Sequence, residues 1–147
     1  MTSVGFTGTQ SGMTPEQAST VEAIFATVSV MAASNVTLYH GMCAGADEEA
    51  HRMVRAHFAW RIVGLPASDV APHKQVRDLD VDHLYPARPA LKRNEDVADC
   101  WLVVAAPATG EEVRRSGTWA TVRLSRKERS HRVIVRPSGM AVWEWHS

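Results

Sequence analysis

A chain of 147 residues, 45% of them apolar, has the length and composition of one globular domain with a real core. Sixteen basic residues balance sixteen acidic ones, and a formal net charge of zero removes the simplest electrostatic argument for a nucleic-acid or membrane partner. The two cysteines, Cys43 and Cys100, stand far apart with no His or Cys at metal spacing, so neither a disulfide framework nor a metal site is expected.

In chain order, Ser3 to Thr7 reads as a first strand running into Gly5-Phe6-Thr7-Gly8-Thr9-Gln10-Ser11-Gly12. Thr14-Pro15-Glu16-Gln17 is a helix start, with Thr14 as N-cap, Pro15 at the first helical position and Gln17 closing a capping box. Ala18, Val21, Phe25, Val28 and Ala32 then follow at helical spacing. Val36 to His40 is the second strand and leads into His40-Gly41-Met42-Cys43-Ala44-Gly45-Ala46-Asp47. A helix over Ala46 to His57 puts Ala46, Ala50, Met53, Val54 and His57 on one face, and Trp60 to Leu65 is the third strand. Cys100 to Ala106, apolar throughout, reads as a fourth strand covered on both faces. Gly117 to Lys127 is a helix and Arg132 to Arg136 a fifth strand. This alternation predicts an α/β fold: a single Rossmann-like domain with a mostly parallel five- or six-stranded sheet and helices on both faces.

Two segments interrupt the alternation. Residues 66–89 are long for a connection in a compact domain and read either as a mobile lid over the strand ends or as a solvated loop. Asp78, Asp80 and Asp82 have the spacing that opens an EF-hand, but His83 stands at the glycine position and Pro89 at the glutamate position, which rejects calcium. The second segment is residues 138–147, set apart from the domain at 1–137. Trp143 and Trp145 alternate around Glu144 there, predicting an edge strand whose apolar face caps the core or joins subunits into a homo-oligomer. The N-terminus lacks the pattern of a secretory leader, and no apolar run approaches the roughly 20 residues of a membrane span, so a cytoplasmic setting without a membrane partner is expected.

The glycine turns after the first and second strands, and Ser116-Gly117-Thr118 after the fourth, fall on one edge of a parallel sheet. Ligands of open α/β sheets bind along that edge, at the carboxyl ends of the strands. Thr7, Gly8, Thr9, Gln10, Gly41, Gly45, Asp47, Arg93, Asn94, Arg115, Ser116, Gly117 and Thr118 are the candidate ligand-binding residues. The second helix opens with Asp47, Glu48 and Glu49, which occupy the end of a helix that otherwise attracts anions. Asp47 is therefore assigned to sugar hydroxyls, with a plain helix cap as the alternative. Arg114-Arg115-Ser116-Gly117-Thr118 offers guanidinium groups, hydroxyls and free backbone N–H groups, a cradle for phosphate. Eight basic residues against one acid between Val113 and Arg136 reinforce that end, or form a solvated helix face. Arg93 is a second anion candidate. Its alternative is a surface arginine at a helix end.

Other side chains have plainer readings. His40 is a satisfied histidine at a strand end, and His51 and His57 are structural or exposed. Trp101 belongs to the core. Trp119 packs on the sheet, with stacking on a base as the alternative. Glu111 and Glu112 are loop acids. Glu112 and Asp47 are the catalytic candidates if the protein cleaves its ligand.

These residues resemble a known group. Gly5-Phe6-Thr7-Gly8-Thr9, His40-Gly41 with Gly45-Ala46-Asp47, Arg93-Asn94, and Ser116-Gly117-Thr118 are similar to the SLOG superfamily of Rossmann-like domains over nearly the whole chain, residues 4–137. That group includes the DNA-processing protein DprA and the LOG phosphoribohydrolases. The resemblance implies binding of nucleotides or nucleotide-derived signals, ADP-ribose-like compounds among them, with no further cofactor required. The LOG hydrolases carry Pro-Gly-Gly-x-Gly-Thr-x-x-Glu, whose glutamate assists cleavage. Here Thr121 stands at the glutamate position and the Pro-Gly-Gly is absent, so the resemblance implies binding rather than cleavage. Hydrolysis or transfer at an N-glycosidic bond is the alternative, and DprA-like binding of single-stranded DNA a second one. Nucleic acid is disfavoured by the zero net charge and the lack of an exposed aromatic series in the sequence.

Overall fold

The computed structural model describes residues 1–146. Strand β1 (Thr2–Gly8) is followed by α1 (Pro15–Met31), β2 (Val36–His40), α2 (Ala46–His57) and β3 (Arg61–Gly64). A short 3-10 turn (Pro72–Lys74) and β4 (His83–Leu84) precede α3 (Ala90–Ala98), β5 (Leu102–Ala106), α4 (Gly117–Lys127), β6 (His131–Val135) and β7 (Ala141–Glu144).

Local chemistry accounts for the first helix. Thr14 accepts from the Gln17 amide, and the Gln17 side chain accepts from the Thr14 amide, each at 3.0 Å, which closes the capping box. Gln17 is buried, and its side-chain nitrogen also donates to Pro107 and Val135 carbonyls at 2.8 and 3.0 Å. One residue thus starts α1 and ties it to the ends of β5 and β6.

The sheet has seven strands in the order β4-β3-β2-β1-β5-β6-β7. All neighbours are parallel except β6 and β7, which pair antiparallel with Val133 opposite Trp143. The expected five or six strands become seven because β4 is a two-residue strand beside Val63 and Gly64, too short to leave a periodic pattern. β5 is buried at all five positions, as a strand flanked by β1 and β6 and covered on both faces must be.

Phe6, Val21, Phe25, Val54, Ile62 and Val104 form the larger core under α1 and α2. Phe25 sits among Phe6, Phe58 and Trp60 at ring-centroid distances of 6.3, 6.4 and 5.1 Å. Across the sheet, Trp119 and Val122 of α4 pack on Ala105 and Ile134. The chain steps outward from β1 through β2, β3 and β4, then α3 returns it to β5 on the other side of β1. That reversal between β1 and β5 opens a crevice at the carboxyl ends of the strands.

Two aromatic expectations resolve differently. Trp119 packs against the sheet and is buried, its indole nitrogen donating to Thr109 Oγ1 at 3.1 Å. Trp101 is not core: β5 begins one residue later, and Trp101 lies 43% exposed against His131 and Trp145. With Trp143 and Trp145 also exposed and stacked on each other at 5.2 Å, the fold assembles a surface aromatic series that the sequence scatters over 45 positions. No helix among the described residues is long and apolar enough to cross a membrane.

Candidate functional site

A cleft of about 380 Å³ lies at the β1/β5 reversal, within the size range of small-molecule sites. Thr7, Gly8, Thr9 and Gln10 of the β1–α1 turn form one side, Gly41 and Asp47 the floor, and Arg93 and Asn94 of α3 another wall. Arg115, Ser116, Gly117 and Thr118 close it at the N-terminus of α4. Of the residues singled out in the sequence as ligand-binding, Gly45 alone does not line the cleft. It has φ of +88°, and a Cβ there would run into the Gln10 carbonyl and lie 2.7 Å from the Thr9 carbonyl. Gly45 therefore shapes the site from behind: it lets the β1–α1 turn lie on the start of α2, where the Ala46 amide donates to Thr9 O at 2.9 Å.

Asp47 is 4% exposed. Its Oδ2 accepts from the Gly41 and Cys43 amides at 3.1 and 3.3 Å, while its Oδ1, buried, has no hydrogen-bond partner among the described residues. Burial pushes the carboxyl up to about 6, against the opposing pull of the Arg93 guanidinium and the two amides. An unpaired buried carboxylate oxygen is costly to the folded state. Asp47 is thus more than a cap on its own helix, since its bonds run back to the β2–α2 turn. The neighbouring acids are occupied elsewhere: Glu49 accepts from the Met13 amide at 2.6 Å, and Glu48 pairs with Arg52 at 2.8 Å.

Arg93 is buried rather than at the surface. Its Nη1 donates to the Gly41 and Leu65 carbonyls at 2.7 and 2.9 Å, and its Nε donates to Asn94 Oδ1 at 3.0 Å. It braces the ends of β2 and β3 with most of its donors, which leaves little of the fork for an anion. Gly41 makes this possible, because a Cβ there would collide with the Arg93 guanidinium. Arg115 is exposed, and a Cβ at Gly117 would meet nothing within 4 Å, so the α4 N-terminus opens freely to the cleft. Ser116 caps that helix by accepting from the Trp119 amide at 3.2 Å.

Glu112, the other catalytic candidate, is not in the cleft. It pairs with Arg123 and Arg126, both at 3.0 Å, and these hydrogen bonds hold its carboxyl below the ordinary range. The basic run that follows it in sequence supplies its partners, and two members of that run, Arg126 and Arg132, also pair with Glu144 at 3.0 and 2.6 Å.

The long segment 66–89 forms a wall of the cleft, with Val70 and Lys74 lining it. It is pinned along its length. The Ala44 amide donates to Lys74 O at 2.9 Å, the Val76 amide to Met42 O at 2.8 Å, and the Ser68 amide to Arg88 O at 2.8 Å. Asp82 accepts from the Ile62 amide at 2.8 Å and pairs with Arg55 at 3.0 Å. Asp80 also pairs with Arg55, at 3.3 Å, so both acids anchor the segment. Lys74 and Cys43 line the cleft without having been singled out. The only sequence signal for Lys74 was its place in an overlong connection, which says nothing of where it points.

No protein-family model matches the chain. No curated protein matches it either. Among solved structures it is similar to the molybdenum cofactor binding protein from the phototrophic bacterium Rippkaea orientalis, with a TM-score of 0.66 and 16% identity over 92% of this chain and 76% of that one. It is also similar to the structural-genomics target TM1055, with a TM-score of 0.57 and 18% identity over 88% of this chain and 71% of that one. At these identities the likeness establishes the fold: a Rossmann-like α/β domain.

Proposed function

We propose that this chain is a SLOG-type domain that binds a nucleotide-derived small molecule in the β1/β5 cleft and holds it without cleaving it. The observation that carries this reading is buried Asp47, whose Oδ1 has no hydrogen-bond partner among the described residues, lining the same cleft as the open N-terminus of α4. A carboxylate suits the vicinal hydroxyls of a ribose, and Arg115, Thr118 and the first amides of α4 suit its phosphate. That one structural neighbour is a cofactor-binding protein supports a small-molecule ligand in general terms. Thr121 at the position of the LOG glutamate, its hydroxyl turned back to Gly117 O at 3.0 Å, supports binding over hydrolysis.

Hydrolysis at an N-glycosidic bond is the second reading, and one observation favours it: a carboxyl with its pKa raised to about 6 is placed to donate a proton near neutral pH. Glu112, with both oxygens in ion pairs, has no part in it. For the aromatic edge at β7, we read a second copy of the chain as the partner, because Trp143 on β7 and Trp145 just after it stand exposed beside a free strand edge.

Thermal shift tests the main reading. AMP or ADP-ribose at about a hundredfold excess over Kd stabilises a native-state binder by about 2.7 kcal/mol. A flat response across nucleotides, cyclic dinucleotides and ADP-ribose derivatives refutes it, and release of free base from AMP replaces it with the hydrolase.

A further inference from the structure

Next to the cleft, two buried histidines and an exposed aspartate form a hydrogen-bonded chain that ligand binding does not use. His40 at the end of β2 and His51 on α2 are 0% and 1% exposed, and His40 Nε2 lies 3.0 Å from His51 Nδ1. His51 Nε2 lies 2.7 Å from Asp80 Oδ1, on the long segment. At the other end the Met42 amide donates to His40 Nδ1 at 3.0 Å. This amide fixes the direction of the whole chain. A backbone N–H only donates, so His40 Nδ1 is the acceptor and the proton of the neutral ring is on Nε2. His40 then donates to His51, and His51 in turn carries its proton on Nε2 and donates to Asp80.

The turn held by this chain also seats the cleft carboxylate. Gly41, Met42 and Cys43 present three successive amides. The first and third bind Asp47 Oδ2, and the middle one binds His40. Met42 is buried and has φ of +56°, a left-handed conformation that is unfavourable for a non-glycine residue and persists only where surrounding bonds impose it.

Resting on the reading of the cleft as a ligand site, we propose that Asp80, His51 and His40 form a positioning relay: it imposes the strained Gly41–Cys43 turn and so seats Asp47 for its ligand, and a second proton on the relay releases the turn. A proton added to His51 Nδ1 would face the Nε2–H of His40, so His40 must give up either His51 or the Met42 amide. The charged surroundings are Asp80 and Arg55, 3.3 Å apart on the His51 side, and Arg93 of α3 on the His40 side. Burial, with His51, Arg93 and Arg55, depresses His40 to about 3, so the His40 ring stays neutral and keeps its single proton on Nε2. Asp80 is exposed at the outer end of the relay, and the Met42 amide lies at its inner end beside the cleft.

The test is amide exchange and side-chain nitrogen NMR on the whole protein. His51→Gln keeps an acceptor toward His40 and a donor toward Asp80 but does not titrate. Between about pH 7.5 and about pH 5, protection of the Met42 amide should fall on the order of tenfold in the wild type and hold steady in His51→Gln. Asp80→Ala should move the wild-type transition to lower pH, and Asp78→Ala should leave it in place. Titration of Asp47 perturbs Gly41 and Cys43 in every one of these proteins, so Met42 is the diagnostic amide. The nitrogen spectra should place the proton on Nε2 of both rings at about pH 7.5 in the wild type, a measurement that stands even if His51→Gln does not fold. Equal Met42 behaviour in wild type and His51→Gln, or His51 protonated on Nδ1 alone, overturns the relay. AMP affinity is measured separately: if AMP binds none of the proteins while Met42 behaves as stated, the nucleotide reading fails and the relay stands.

Discussion

Asp47→Asn should make the protein more stable while damaging its site. The carboxyl of Asp47 is raised from 3.8 to about 6, with desolvation the largest cause, so the folded state holds the neutral acid better than the anion. The difference of about two units, at about 1.4 kcal/mol each, amounts to ~3 kcal/mol. The direction follows from the raised value: this stability is fully present below about pH 4, declines as pH rises through about 6 and is gone by about pH 7. Asparagine keeps the acceptor for the Gly41 and Cys43 amides and copies the neutral acid at every pH. The attraction of Arg93 for the anion is already within the balance, since it is one of the causes of the net shift. At about pH 8 the variant should therefore melt ~5–10 °C above the wild type, and at about pH 4 the two should coincide. Scanning calorimetry over that pH range is the assay. Equal or lower stability of the variant at pH 8, or an unchanged pH slope, refutes the account of Asp47 as a carboxylate seated at a cost for its ligand. Calorimetric titration adds the functional half: Asp47→Asn should reduce discrimination between ribose and deoxyribose ligands and leave phosphate dependence largely intact.

Arg115→Ala or Thr118→Ala should weaken AMP by roughly tenfold to a hundredfold and adenosine much less, as isothermal titration would read out. Gly45→Ala forces a Cβ into the Gln10 and Thr9 carbonyls at φ +88° and should cost about 2 kcal/mol or more in urea unfolding; a neutral result would mean the turn yields. Glu144→Ala leaves Arg132, with its side chain 3% exposed, short of its ion-pair partner and should cost about 2–3 kcal/mol, toward the low end for buried pairs because Glu144 itself is about a third exposed. Trp143→Ser with Trp145→Ser should shift sedimentation toward monomer if the β7 edge joins two copies, and a wild type that is monomeric at all concentrations removes that reading.

The strongly periodic and capped parts of this protein were legible from sequence because short-range physics decides them. The Thr14–Gln17 box needs only residues three apart, and the uniform burial of β5 follows from an unbroken apolar run. The clustering of the glycine turns was legible too, because parallel α/β sheets place all such turns on one edge. Long-range contacts decided the rest. The two residues of β4 pair only because β3 offers them an edge, and Trp101 faces solvent because β5 starts just after it. Glu112 was drawn away from the cleft by Arg123 and Arg126, partners 11 and 14 residues on, while Arg93 spent its donors on the carbonyls of Gly41 and Leu65. Lys74 reached the cleft because the segment carrying it is sewn to the β2–α2 turn. The His40–His51–Asp80 chain joins three segments whose spacing in sequence carries no mark of contact. Periodicity and caps are set within a few residues; the state of a buried charge or hydrogen-bonding group is set by whatever the fold brings beside it.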